Sequence, residues 1–402
     1  MNMKHFSSKW NCLVCARWLV IAELVSLFVS TSLTSVVEIL LFVSVLCSWR
    51  NIRERAALLL RQPAVAMALL FSGVLLLGLC YGPAPFAEKL AVLKGWRKLL
   101  LLPLAVLLFD EPRWKQRLTW VLILVAAGAM LRSYAGFLGG GPTIVVHNQA
   151  TQGMFFAVAA FAALGMMFSV SFSRIPARVA RLALFGVAML LIANVVFVNT
   201  GRSGYLALLV LSLAAGGFLF QGWFRIGLVL FALGTIAVLL FVSPVAKERI
   251  VIAINDMRNH EQAEQYSDMG IRMVMWKNTL QIIKERPWIG HGLGGFKEAY
   301  RQQVVGIEGW RGIEVDDPHN QYLKVAAEHG IVGLLVFLGL IGSFFRHKVL
   351  VPYRLLGLGA LLAWCATSFF SGHFSTWSEG RFILLWAGAQ LAGGGAATKE
   401  SG

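Results

Sequence analysis

Asp316-Asp317-Pro318-His319-Asn320-Gln321 closes a polar segment that opens near Pro244, and from Tyr322 to Ser343 the chain is apolar again. Before Pro244, apolar runs reach back almost to the N-terminus. Over 402 residues the composition is 57% hydrophobic and 14% charged, with a mean hydropathy of +0.69. A water-soluble core cannot hide that much apolar surface, so lipid must be its solvent.

Apolar runs near the ~20 residues that cross a bilayer fall at 13–30, 33–49, 64–81, 88–109, 117–135, 153–172, 180–198, 204–220, 224–242, 322–343, 352–371 and 380–395. This pattern predicts an all-α polytopic membrane protein of about 12 transmembrane helices with one large helical loop. Residues 1–243 carry the first nine helices, 244–321 form the extramembrane domain, and 322–402 carry the last three and a short tail.

The formal net charge is +16, and its placement follows the membrane rule that Lys and Arg collect in cytoplasmic turns. With the N-terminus inside, Arg50, Arg53, Arg55, Arg61, Arg113, Lys115, Arg117, Arg174, Arg178, Arg181, Arg346 and Lys348 all fall inside. The outer turns keep only Lys89, Arg132, Arg202 and Arg381. Both termini are therefore expected in the cytoplasm and 244–321 outside. Basic and acidic residues nearly balance within 244–321, which argues against a nucleic-acid surface.

Cys12, Cys15, Cys47, Cys80 and Cys365 all lie outside that segment, so no disulfide framework is expected there. Cys12 and Cys15 form a lone C-x-x-C without partner ligands and read as apolar filler. The first apolar run lacks a small-residue cleavage site and reads as an ordinary first span.

Inside 244–321, residues 245–259 and 269–284 have helical periodicity, the second with Ile271, Val274, Met275, Leu280 and Ile283 on one stripe. Pro287 stops that helix because proline cannot donate the next hydrogen bond. Trp288-Ile289-Gly290-His291-Gly292-Leu293-Gly294-Gly295-Phe296 is too rich in glycine to continue a helix and predicts a tight turn. A short helix over 296–303 and an irregular loop over 304–317 complete the segment.

Several side chains are chemical candidates. Arg202 stands beside Gly201 and Gly204 where a span emerges, and a guanidinium offers phosphate a planar, always charged fork; the alternative is an arginine snorkelling to headgroups. Arg272 opens the amphipathic helix, where it could equally be a solvated charge. His319, at the boundary between water and membrane, can take a proton from a hydroxyl near neutral pH, with Asp317 and Asn320 beside it. Asp316 and Asp317 also suit a metal, but with one histidine they do not define a site. Lys94, Arg97 and Lys98, spaced i, i+3 and i+4, share a helical face and could touch a lipid-linked phosphate or snorkel. His147 and His291 read as local hydrogen-bonding residues, Glu23 and Glu38 as packed or paired ones.

Three pieces together resemble the O-antigen ligase and Wzy-type polymerase superfamily of bacterial envelope glycosyltransferases. They are Thr200-Gly201-Arg202-Ser203-Gly204; Gly270-Ile271-Arg272 through Trp276, then Pro287-Trp288-Ile289-Gly290-His291-Gly292-Leu293-Gly294-Gly295-Phe296; and His319-Asn320-Gln321-Tyr322-Leu323 followed by Glu328-His329-Gly330-Ile331-Val332-Gly333. The resemblance runs from about Asn199 to Gly342; the N-terminal half matches only as a hydrophobic profile. The twelve-span layout looks most like the ligases. The resemblance implies a GT-C-like glycosyltransferase of the bacterial inner membrane, its site facing the periplasm. It would move a glycan from undecaprenyl diphosphate to lipid A-core by inverting transfer without metal or cofactor. It also implies His319 as base and Arg202 and Arg272 on the diphosphate; helical spacing adds Lys94, Arg97 and Lys98 as candidate substrate contacts, and adjacency to His319 alone adds Asn320 as a substrate-contacting or orienting residue and Asp317 as an orienting one. Polymerases and protein O-oligosaccharyltransferases share the motifs. A lipid-linked saccharide flippase is the reading without chemistry, although no matching pair of broken spans marks an inverted repeat.

Overall fold

The computed structural model describes residues 4–167, 176–199, 201–219, 234 and 268–393, and among these the regular structure is entirely helical. Apart from residue 234, the expected span at 224–242 lies outside the described residues, as does the expected helix at 245–259.

Helices α1 (Lys4–Ser26) and α2 (Thr31–Cys47) form the first hairpin. The basic turn expected at 50–62 contains a short helix, α3 (Trp49–Leu59), and α4 (Pro63–Gly78) follows. The expected span at 88–109 is broken: α5 (Phe86–Trp96) passes through a 3-10 turn at Arg97–Leu100 into α6 (Leu101–Leu108). Pro103 lies just beyond that turn and has no N–H to donate, which favours a break there. Then come α7 (Pro112–Gly139), α8 (Gln149–Met166), α9 (Ala177–Ala193), continued by a π turn to Val198, and α10 (Arg202–Leu219).

Among the described residues four stretches, Pro112–Gly139, Gln149–Met166, Ala177–Val198 and Gln321–Arg346, are long and apolar enough to cross a membrane. Thr31–Cys47, Pro63–Gly78, Arg202–Phe218 and Tyr353–Thr367 are apolar but shorter. Helix α7 shows how such a helix divides its surface. It buries Leu118, Leu122, Ala126 and Met130 and exposes Leu124, Leu131 and Leu138, so its outward face is as apolar as its inward one.

Helix α8 is central, with every side chain from Thr151 to Ala163 buried. Its alanines and Gly153 let neighbours approach closely; a Cβ on Gly153 would lie 3.0 Å from Gly204 Cα in α10. Phe155 stacks on Phe382 at 4.5 Å, which ties α8 to the last helix.

The polar segment supplies α11 (Asp268–Glu285) and α12 (Phe296–Val304), the expected helices, and a single 3-10 turn at Gly309–Gly312 in the expected loop. Their small core is Met275, Ile282, Phe296, Ala299, Tyr300 and Val304 closed against Ala327. Ala327 belongs to α13 (Gln321–Ser343), which is interrupted at Gly330, where φ is 65°. The glycine turn docks into that interruption: Ile331 N donates to Pro287 O (2.8 Å) and His291 N to Ala327 O (2.9 Å). A Cβ at Gly290, itself at φ 68°, would lie 2.5 Å from the Glu328 carbonyl carbon, so close backbone approach requires glycine there. Helices α14 (Tyr353–Thr367) and α15 (Trp377–Gln390) complete the bundle.

Polar contacts between helix ends sort into two groups. At one end Arg17 pairs with Asp110 (3.0 Å) and Glu111 (2.9 Å), and Lys115 donates to Gln390 O (3.1 Å) and Ala392 O (2.6 Å). At the other lie the segments around residues 81, 147, 201, 291, 319 and 373. Two of the cations that break the charge asymmetry are buried there. Lys89 donates to Tyr81 O (2.8 Å) and Gly82 O (3.1 Å). Arg381 donates to Glu38 (2.9 Å) and lies over the Trp377 ring.

Candidate functional site

His319 is exposed and has a left-handed backbone, φ 51°. That conformation costs a residue with a Cβ about 1–2 kcal/mol, and it persists only where the surroundings enforce it. Three neighbours do so. Asp317 Oδ1 accepts the His319 N–H (2.7 Å), Trp276 Nε1 donates to Pro318 O (3.0 Å), and Asn320 caps α13 by accepting from Tyr322 N (3.0 Å) and Leu323 N (3.1 Å). Asp317 therefore orients the backbone of His319. Its other oxygen pairs with Lys324 at 2.9 Å. Asn320 is buried and spends its side-chain oxygen on the cap.

Trp276 also brings Arg272 to this region. The two are four residues apart on α11 and share a face, and Trp276 packs against Phe370 in the loop that joins α14 to α15. That loop, 368–376, is held from two sides. Gln321 N donates to Ser368 O and Gln321 Oε1 accepts from Ser375 N, both at 2.9 Å. From α5's 3-10 turn, Lys98 Nζ reaches Ser375 O (2.5 Å) and Thr376 O (2.6 Å).

Within the loop His373 is buried, its Nδ1 3.9 Å from Glu379 Oε1. Burial holds His373 below the usual histidine range; Glu379 and Asp317 act against that shift and Arg272 acts with it. Thr151 of α8 donates to the same Glu379 oxygen at 2.6 Å. Two residues before Thr151, Gln149 O accepts from Asn199 Nδ2 (3.0 Å) and would lie 2.9 Å from a Cβ on Gly201. Exposed Arg202 follows at the first residue of α10.

Direct contacts thus run from the start of α10 through Gln149, Thr151, Glu379 and His373. Asp317 lies beyond: a Cβ on Gly372 would meet its Oδ2 at 3.1 Å. Arg202, Arg272 and His319 belong to one end of the bundle.

The expected cationic face on α5 is not formed. Helix α5 ends at Trp96, and the tighter turn that follows sends the three side chains apart. Lys94 is exposed, Arg97 pairs with Glu38 (3.1 Å), and Lys98 is buried against the carbonyls of the 368–376 loop. His291 hydrogen-bonds locally, to Ile282 O (3.1 Å), whereas His147 reaches a distant part of the chain at Leu27 O (2.8 Å). Glu38 is paired; Glu23 is fully buried with Arg381 at 3.9 Å.

Thr151, His373 and Glu379 lie in no sequence motif, and Trp276 entered only as the last residue of the 270–276 stretch. A usable signal was present in the tripeptide His-Asn-Gln, which occurs at 147–149 and again at 319–321. Each copy heads a helix, and each touches the 368–379 segment, one through Thr151 and the other through Gln321.

Fold and geometry together define a helical protein with helices long and apolar enough to cross a membrane, and with Arg202, Arg272 and His319 at one end of the bundle. Residues 187–338 match the family model described as O-antigen ligase. Over those residues the chain is similar to the O-antigen ligase/Wzy superfamily. It is also 33% identical over 79 residues to an uncharacterized protein of Haemophilus influenzae. That similarity covers 19% of this chain and 20% of the Haemophilus protein.

Proposed function

We propose that this protein is an O-antigen ligase of the bacterial inner membrane. It transfers glycan from undecaprenyl diphosphate to lipid A-core, with about 12 spans and the 244–321 and 368–379 segments in the periplasm. The observation that carries the reading is His319, exposed and forced into a left-handed conformation beside the α11 face that bears Arg272.

The acceptor sugar hydroxyl attacks the anomeric carbon from the side opposite the diphosphate. Its proton passes to the His319 imidazole as the new C–O bond forms. The old C–O bond breaks, and its electron pair leaves on the diphosphate. Arg202 and Arg272 bind the diphosphate in their planar forks and take up the charge that develops as it departs. A single displacement inverts the anomeric centre. The two guanidinium groups supply the positive charge that a divalent cation could otherwise provide, so the transfer requires no added metal. Exposed Lys94 and half-exposed Arg97 stand as outer contacts for the lipid-linked headgroup.

The test is reconstitution of the full chain in vesicles with a defined lipid-diphosphate glycan and purified lipid A-core. Glycan joined to core, with chelator present, supports the ligase. Lengthened diphosphate-linked glycan would replace it with a polymerase, and a change of sidedness alone with a flippase.

A further inference from the structure

The loop between α14 and α15 carries a histidine that the transfer step above does not use. His373 is 1% exposed, and among the described residues neither ring nitrogen has a hydrogen-bond partner. A buried imidazole left this way in a polar site calls for an explanation. Its surroundings are charged on every packed element. Glu379 of α15 lies 3.9 Å from Nδ1. Arg272 of α11 and Asp317, which precedes His319, both act on it electrostatically. Lys98 is bonded to the carbonyls two and three residues along the loop, and Lys324 to the far oxygen of Asp317.

The ring has little freedom to leave. Lys98 and Gln321 fix the loop, Gly372 sits against the Asp317 carboxylate, and Thr151 and Ser378 fix the Glu379 carboxylate. What remains variable is its proton.

We infer that His373 is a positioning residue for the donor, taking up a proton as a lipid-linked diphosphate docks on Arg272 and releasing it as the diphosphate departs. The inference rests on the function proposed above. Two carboxylates favour the imidazolium, and one guanidinium with burial opposes it. A diphosphate on Arg272 offsets the opposing guanidinium and adds negative charge of its own. The protonated ring then supplies a further positive charge behind Arg272. By linkage, donor binding that takes up one proton must tighten as pH falls, by at most about tenfold per pH unit.

The experiment is calorimetric titration of the purified full chain with a short polyprenyl-diphosphate sugar, in buffers of different ionisation enthalpy, from about pH 5 to about pH 8. The diphosphate diester does not itself titrate in that range. Wild type is expected to take up close to one proton per donor, with Kd tightening several-fold per pH unit over part of the range. His373→Gln should lose both the uptake and the pH dependence. Glu379→Gln, which weakens the imidazolium, should move the uptake to lower pH. Unchanged uptake in His373→Gln, or binding by wild type with none, overturns the inference; the wild-type measurement decides alone if the variants do not fold. Transfer to lipid A-core is read separately. Proton uptake without transfer sinks the ligase reading and spares His373, transfer without uptake does the reverse, and absence of donor binding removes both.

Discussion

His147 and His319 are the two non-glycine residues with left-handed backbone among the described residues, and each directly precedes an asparagine that caps a helix. The device is the same: a strained histidine, an Asn cap, and a glutamine opening the helix. The uses differ. Both residues are exposed, but His147 spends its Nε2 on Leu27 O and lies edge-on to Trp377. One copy fastens the bundle and the other presents its ring to solvent.

His319 therefore allows strain and chemistry to be separated. Glycine accepts a positive φ without penalty, while alanine keeps the Cβ clash. His319→Gly is expected to be more stable than His319→Ala by about 1 kcal/mol, read by thermal unfolding in detergent. Both should lose transfer and keep donor binding. Near-normal transfer by either purified variant would remove His319 from the reaction.

Arg202→Lys and Arg272→Lys keep the charge and lose the fork. Each is expected to lower transfer at least tenfold, as a bidentate contact to a developing anion would require. Steady-state rates at saturating acceptor check this. Wild-type rates in both would mean that the arginines act only as point charges.

The outline of the fold was legible because apolar runs and the polar break at 244–321 are long-range compositional signals. The breaks within helices were not. Gly330 reads as an ordinary glycine in an apolar run until the carbonyls of Pro287 and Trp288 are seen accepting from Ile331 and Val332. Lys98 fell on one helical face by spacing, yet the turn after Trp96 tightens and the ammonium enters the core. The site was half legible. Arg202, Arg272 and His319 lie in recognisable motifs, but Thr151, His373 and Glu379 meet only through tertiary packing of the last two helices on α8.

Thr151 offers a test of that packing. Its hydroxyl donates to a buried carboxylate, and such charge-assisted bonds contribute about 1.5–3 kcal/mol. Thr151→Val keeps the shape of the side chain and leaves Glu379 with the Ser378 and Thr376 hydroxyls. Thermal unfolding should show a loss of that order. A change under about 0.5 kcal/mol, the scatter of ordinary surface substitutions, would mean that water takes over the bond.

Lys98 and Lys94 distinguish a structural cation from a ligand. Lys98 is 1% exposed and holds two carbonyls of the 368–376 loop. Lys98→Met removes the donor but also the cost of burying an ammonium, so the net loss is expected at about 1–3 kcal/mol. Because the loop carries His373, donor affinity should fall with it. Lys94 is exposed, and Lys94→Met should leave unfolding within about 0.5 kcal/mol of wild type. If Lys94 contacts the lipid-linked headgroup, the donor KM alone rises, and more at low salt, since screening weakens exposed charges. Unfolding scans and donor titrations of the two variants at two ionic strengths resolve the roles. A Lys98→Met protein of wild-type stability with a raised donor KM would return that lysine to the substrate.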